Sequence, residues 1–395
     1  MRFISFRTSS RVFYTNLTSA QLRRRPHCDR LVIMNIYMAR RAGALILLLS
    51  LTASACGGGE QNAGQTPAGA GAQGSGGSVQ INGAGATFPY PIYSKWFSEY
   101  GKLHSNVQIN YQSVGSGGGI RQLTNETVFF GATDGPMTDE QLKSAPGPIL
   151  HFPTVLGAVV PVYNISGLQG ELKFSGQLLA DIYLGAVKKW NDPAIAKLNA
   201  GIKLPATDIT VVHRSDGSGT TYIWVDYLSK ISPAFKDKVG VNTSVNWPAG
   251  VGGKGNEGVA GLVTQTPNSI GYVELIYALQ NKTPYGSVQN AAGEFVKASA
   301  QSVTAAAASV ASSMPADFRV SITNAPGAGA YPISSFTWLL LYEDPKDKAQ
   351  ARIMLDLMKW ALTDGQKLAG ELGYAPLPSE VVARETEALG KIRVQ

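Results

Sequence analysis

The chain has 395 residues, enough for a large core, and a formal net charge of +7 with only 15% charged residues. A basic balance raises the prospect of a nucleic-acid surface, but its placement removes it. Nine arginines and no lysine precede Cys56, opposed only by Asp29, so that segment carries +8 and residues 57–395 carry −1.

Arg40 and Arg41 stand before the apolar run Ala42 to Leu51, and Ala53, Ser54 and Ala55 lead to Cys56. A charged start, a short apolar stretch and small residues before a cleavage point describe an export signal, too short for a membrane span. Met34 and Met38 are more ordinary starts for such a signal than Met1. A cysteine directly after the cleavage point resembles the bacterial lipoprotein box, with Ala53 where the box has Leu, so lipid is expected on Cys56. Residues 1–55 are thus read as leader and export signal. Residues 56–78, rich in Gly, Gln, Ala and Ser, are read as an anchored cysteine and a flexible tether. Cys28 is the only other cysteine, so the exported domain has no internal disulfide. Its core must suffice, and a chain this long buries roughly 75% of its unfolded surface.

After the tether, short apolar runs alternate with helical patterns, which favours α/β architecture. Ile81 to Pro89 runs from a short strand through Gly83-Ala84-Gly85-Ala86-Thr87 into a helical segment over Tyr93–Tyr100. Val107–Tyr111 reads as a strand, followed by Ser113 to Gly119 and a helix from Ile120. Phe152–Tyr163 is an apolar run long enough to cross between two lobes, and Ile333–Tyr342 is its return. Between them, the strand Ile209–His213 leads through Arg214-Ser215-Asp216-Gly217-Ser218-Gly219-Thr220 into the helix Thr221–Leu228. Ala298–Ser313 reads as a small-residue helix. A last helix covers Ala349–Thr363, with Gly365 as its stop signal.

Three of these junctions share one design: a small-residue turn at the carboxyl end of a strand and the amino end of a helix. Such a turn points free backbone N–H groups and the positive end of the helix dipole at an anion, and in open α/β sheets ligands bind there. In the third turn Ser218 and Thr220 add hydroxyls and Arg214 adds a charged fork. Enzyme motifs are missing. Val114 and Asp216 occupy the first glycine position of G-x-S-x-G around Ser116 and Ser218, and Pro248 and Gly255 break a P-loop around Lys254. After Cys56 the histidines are His104, His151 and His213, with no metal-ligand spacing among them. His213 reads as a strand-end packing residue.

Gly83-Ala84-Gly85-Ala86-Thr87-Phe88-Pro89, Tyr111-Gln112, Gly115-Ser116, Phe130-Gly131-Ala132-Thr133-Asp134 and Arg214 to Thr220 occur in that order. So do Asp181 to Gly185, Lys189 to Asp192, Gly252 to Asn256 and Ile270 to Glu274. Over roughly residues 79–385 this ordered set resembles the phosphate-binding protein of the bacterial high-affinity phosphate ABC importer. The resemblance implies a two-lobed periplasmic-binding-protein fold with a hinge and a cleft. One lobe would be 79–157 plus 335–395, the other 158–334. It also implies capture of inorganic phosphate, delivery to a membrane ABC permease with its ATPase, a monomer, no cofactor and no catalysis. The rival readings are a secreted phosphate-ester hydrolase and a binding protein for another tetrahedral oxyanion such as sulfate or molybdate.

Carried over residue by residue, the resemblance implies phosphate contacts from Thr87 and Phe88, from Ser116, and from Arg214, Ser218, Gly219 and Thr220. It implies Asp134 as the carboxylate acceptor and Asp216 as the residue that holds Arg214. By residue type alone Asp134 reads rather as a turn residue or helix cap before Gly135-Pro136 and Thr138-Asp139-Glu140, and it is the resemblance that gives it the ligand role. The acceptor role has a physical rationale. Phosphate near neutral pH carries at least one proton and can donate to a buried carboxylate, whereas sulfate would set acceptor against acceptor. An unpaired buried charge costs about 3–5 kcal/mol, enough for at least about a hundredfold discrimination.

Overall fold

The computed structural model describes residues 78–310 and 313–395. The leader, Cys56 and the tether up to residue 77 lie outside the described residues. The chain opens with β1 (Val79–Gly85), α1 (Tyr90–Leu103), β2 (Val107–Ser113), α2 (Ser116–Thr124), β3 (Phe130–Thr133) and α3 (Asp139–Ser144). The long β4 (Ile149–Asn164) leads to β5 (Lys173–Phe174), α4 (Gly176–Tyr183), α5 (Pro193–Leu198), β6 (Thr210–Arg214), α6 (Gly219–Ile231) and α7 (Pro233–Lys238). Then come β7 (Val251–Gly253), α8 (Gly255–Gln265), β8 (Ser269–Glu274), α9 (Leu275–Gln280), β9 (Ser287–Gln289), β10 (Phe295–Val296) and α10 (Ala300–Ala308). The return strand β11 (Ser334–Tyr342), α11 (Lys348–Trp360) and α12 (Ser379–Leu389) close the chain.

Eight strands form one sheet in the order β2-β1-β3-β11-β4-β8-β6-β7, and β10-β9-β5 form a second, small one. At one end β1 pairs in parallel with β2 and β3. At the other β6 pairs in parallel with β7 and β8. The long strand joins the two trios. Its first part, Ile149–Ala158, pairs antiparallel with β11, and Val159–Asn164 pairs antiparallel with β8. Each part has a full strand on one side and only isolated bridges on the other, Leu156 with Ala375 and Val162 with Tyr285. Pro153 sits at the register shift opposite Trp338, where a missing N–H is tolerated. The strand's side chains from Phe152 to Tyr163 are all buried, as an apolar run covered on both faces requires.

Each trio has an aromatic layer behind it. Tyr93, Phe97, Tyr111 and Phe130 pack at ring-centroid distances of 5.6–6.3 Å behind β1 and β2. Tyr183, Trp224, Trp247 and Tyr272 do the same behind β6 and β8, with Trp224 and Tyr272 stacked at 5.0 Å. Such pairs each add about 0.5–1.5 kcal/mol beyond the area they bury, so the strand ends that carry the turns are held rigidly. His213 stacks on Trp247 at 5.2 Å and is half-buried, a packing residue.

Three local expectations are corrected. The second helix starts at Ser116, four residues before Ile120, because Gly115 takes φ 87° and the glycine run that follows can lie flat against its neighbours. Gly117 N–H, for instance, donates to Gly217 O at 2.9 Å. Gly365 does not stop the last long helix. The backbone widens into a π turn over Ala361–Gly365 and continues, and Gly365 O accepts the indole N–H of Trp96 at 2.8 Å. The Ala/Ser-rich helix is shorter than Ala298–Ser313. It begins after a Ser299/Ser302 capping box and ends at Ala308. No helix among the described residues is long and apolar enough to cross a membrane.

Candidate anion site

The turns after β1, β2 and β3 meet those after β6, β7 and β8, and hydrogen bonds tie them directly. Ser116 Oγ, fully buried, accepts from Gly219 N–H at 3.0 Å and from Asp134 N–H at 3.3 Å. Three expected residues from three separate turns thus share one oxygen. A Cβ on Gly219 would sit 2.6 Å from Asp134 N and from Ser116 Oγ, so only glycine permits this approach. Ser218 caps α6, its Oγ accepting from Thr221 N–H at 2.9 Å. Thr220 follows in the first turn of the same helix, fully buried.

Arg214 is 4% exposed and carries the main positive charge. Its Nε donates to Asp216 Oδ1 at 2.8 Å and its Nη2 to Asp216 Oδ2 at 2.6 Å, a two-point fork. Asp216 Oδ1 also accepts from Gly255 N–H at 3.0 Å. Burial works against the charged carboxyl, but the Arg214 pair and the Gly255 N–H outweigh it and hold Asp216 below the usual carboxylate range. The remaining guanidinium nitrogen, Nη1, is buried and meets no protein acceptor among the described residues. A buried charged donor without a partner is costly, and here it marks the direction in which an anion belongs.

Asp134 is 1% exposed and makes no ion pair among the described residues. Its Oδ1 accepts from Thr337 Oγ1 at 2.9 Å. Burial raises its pKa to about 7, against the lowering pull of the Thr337 hydrogen bond and the Arg214 charge. The helix-cap alternative is ruled out by geometry: α3 is capped by Thr138, in a capping box with Gln141. Thr87 is buried, and its carbonyl accepts from Tyr277 OH at 2.5 Å. Phe88 is fully buried, with its carbonyl taken by Tyr374 OH at 2.6 Å.

Sequence reasoning missed four residues around this constellation. Thr337 holds Asp134, yet in sequence it is one more small residue in an apolar strand. Tyr272 OH accepts from Arg214 N–H at 3.2 Å and shares a proton with Thr221 Oγ1 at 2.7 Å, bracing both ends of the third turn. Asn256, fully buried at the start of α8, bonds to Thr87 Oγ1 and Thr220 Oγ1. Its position directly after a strand and a glycine pair, in the Gly252–Asn256 motif, was the available signal. Glu274 caps α9 through Oε2 and Ile276 N–H at 2.8 Å; burial pushes its pKa up and Oε1 has no partner among the described residues.

Among the described residues no group of three or more His, Cys, Asp or Glu is placed to hold a metal ion. The arrangement is a dry set of donors facing one buried carboxyl, suited to an anion that carries a proton.

Known proteins share the whole framework. The PBP superfamily domain matches residues 66–364. The chain is 52% identical over 306 residues to the phosphate-binding protein PstS of Xylella fastidiosa, covering 77% of this chain and 83% of that one. This chain belongs to the PstS phosphate-binding protein family. Its similarity to PstS of Pasteurella multocida is 50% over 305 residues, covering 77% and 88%. In fold it is similar to a high affinity periplasmic phosphate-binding protein solved bound with phosphate, at TM-score 0.63 and 22% identity, covering 77% of this chain and 92% of that one. The architecture is therefore that of the two-lobed α/β binding proteins.

Proposed function

We propose that this chain captures inorganic phosphate outside the cytoplasm and delivers it to an ABC permease. The observation that carries this reading is the buried Arg214 Nη1, without a partner among the described residues, on a strand end whose turn meets those of Ser116 and Asp134 through the Ser116–Gly219 and Ser116–Asp134 hydrogen bonds. Phosphate contacts are assigned to Thr87, Phe88, Ser116, Asp134, Arg214, Ser218, Gly219 and Thr220, with Asp216 holding the arginine. The lobes are taken as 79–157 plus 335–395 and 158–334. Their closing over the ion follows the hinge motion common to such proteins. The hydrogen bonds from Gly219 N–H to Ser116 Oγ and from Asn256 to Thr87 join residues of opposite lobes and suit a closed form.

The chain acts as a binding protein and not as a hydrolase. Its relatives are named for binding, and the site offers no nucleophile beside a base: His213 faces Arg214 O and Trp247. Cys56 is assigned as the lipid-bearing start of the mature protein, with the following tract as tether. Calorimetry of residues 79–395 with phosphate, sulfate, arsenate and molybdate tests the assignment. At pH 9, where Asp134 with its pKa of about 7 is ionised, phosphate and arsenate, which still keep a proton, should bind, and sulfate and molybdate should bind at least about a hundredfold more weakly. Equal binding of sulfate, or metal-free turnover of a simple phosphate ester, would contradict it.

A further inference from the structure

Asn256 occupies no assigned contact, yet it bonds two of the assigned groups, Thr87 and Thr220, which lie on opposite sides of the site. Its Oδ1 accepts from the backbone N–H of Glu274 at 2.9 Å. That N–H can only donate, so the atom facing it must be the oxygen, and the amide orientation follows from chemistry. The NH2 group is thereby turned to two hydroxyl oxygens, Thr87 Oγ1 at 2.7 Å and Thr220 Oγ1 at 3.1 Å. Both amide hydrogens are used, one on each. Thr87 Oγ1 also accepts from the backbone N–H of Asn256 at 3.1 Å. A hydroxyl oxygen has two lone pairs and one hydrogen. With both lone pairs of Thr87 filled from one residue, its hydrogen must be donated elsewhere. Neither threonine hydroxyl donates to a protein acceptor among the described residues.

We infer that Asn256 is a positioning residue that fixes the hydroxyl of Thr87 as a donor toward the bound anion and, by occupying one lone pair, biases that of Thr220 the same way. The inference rests on the reading of Thr87 and Thr220 as phosphate contacts. A threonine hydroxyl left to rotate could present a lone pair to the anion as readily as its hydrogen. Asn256 removes that choice before the ligand arrives, and a donor set already oriented binds more tightly because less freedom is lost on binding. The amide is held on helix α8 and braced by β8, so the second trio of strands sets a hydroxyl that belongs to the first.

The test uses Asn256→Asp, Asn256→Leu and the pair Thr87→Val and Thr220→Val, with phosphate binding measured by equilibrium dialysis and folding by thermal melting. The aspartate keeps the acceptor for Glu274 N–H but replaces the NH2 group by an oxygen, so the threonine hydrogens turn away from the anion. The leucine only releases them. Each valine substitution should weaken phosphate about tenfold or more, the loss of one hydrogen bond to a charged group. Asn256→Asp should weaken it on the order of a hundredfold or more, and Asn256→Leu on the order of tenfold. In the double-valine background there is no hydroxyl left to orient. There Asn256→Leu should change affinity by less than about threefold, and the excess loss caused by aspartate should shrink to the effect of its charge.

Three results overturn the inference. If neither valine substitution weakens phosphate, the site assignment itself is wrong. If the valines weaken it but the Asn256→Leu loss persists undiminished beside them, Asn256 acts by another route. If Asn256→Asp retains more affinity than Asn256→Leu, the residue is a latch between lobes that needs only some hydrogen bond to Thr87, whichever way it runs. Should the aspartate variant fail to fold, the leucine variant in the two backgrounds still decides between coupling and its absence.

Discussion

On the side of β1, β2 and β3 the site receives the hydroxyls of Thr87 and Ser116 and the carboxyl of Asp134; on the side of β6, β7 and β8 it receives Arg214, Thr220 and Asn256. Both sides use one backbone device, three parallel strands that end in tight turns before helices, backed by a layer of stacked aromatics. Their charges are handled in opposite ways. Arg214 is neutralised in place by Asp216 through two hydrogen bonds, with one nitrogen to spare. Asp134 makes no ion pair among the described residues; burial brings its pKa to about 7 against the pull of the Thr337 hydroxyl and the Arg214 charge. The arginine side thus supplies attraction with little net charge. On the proposed reading, the aspartate side supplies an acceptor that favours a ligand bringing its own proton.

Removing the arginine breaks the comparison most severely. Arg214→Ala should weaken phosphate by about 2–4 kcal/mol, because the charged donor goes and Asp216 is left buried to repel the anion. The fold should survive, since the aromatic layer behind β6 stays. Calorimetry and melting on the same sample would check both. A mutant within threefold of wild type would show that Arg214 does not face the ligand.

A smaller effect separates the sides by pH. On the proposed reading, Asp134 should reject sulfate only while ionised, since its protonated form can donate a hydrogen bond to the ion. With a pKa near 7, sulfate affinity should rise about tenfold per unit as pH falls from 9 toward 7, then level off at lower pH. The paired Asp216, held below the ordinary range, stays charged throughout and contributes no such slope. Sulfate titrations across this range would show it, and a flat profile in the wild type would remove Asp134 from the acceptor role.

The turns were legible because their signals are local. A strand-like run, then Gly and Ser, then a helical pattern can be seen within about fifteen residues, and Arg214 and Asp216 lie two apart. The long apolar runs likewise announced β4 and β11, since strands covered on both faces are apolar throughout. What stayed hidden depends on chain-distant partners. Thr337 reaches Asp134 across 203 positions with no local mark of that duty, and Asn256 reaches Thr87 across 169, its glycine-rich motif marking a turn but not the partner. Backbone irregularities were hidden for the same reason. The early start of α2 needs a facing loop at Gly217, and the π turn before Gly365 is braced by Trp96, 269 positions away.

The account stands or falls on Asp134 as the acceptor that tells phosphate from sulfate, and Asp134→Asn titrated with both anions tests it most directly. The amide can turn its carbonyl to the phosphate P–OH or its NH2 to a sulfate oxygen. Phosphate affinity should therefore stay within about tenfold of wild type, since the swap also removes a repulsive charge. Sulfate affinity should rise and lose its pH dependence, so that the ratio between the two anions collapses more than phosphate binding does. A folded Asp134→Asn protein that still rejected sulfate as the wild type does would contradict the mechanism.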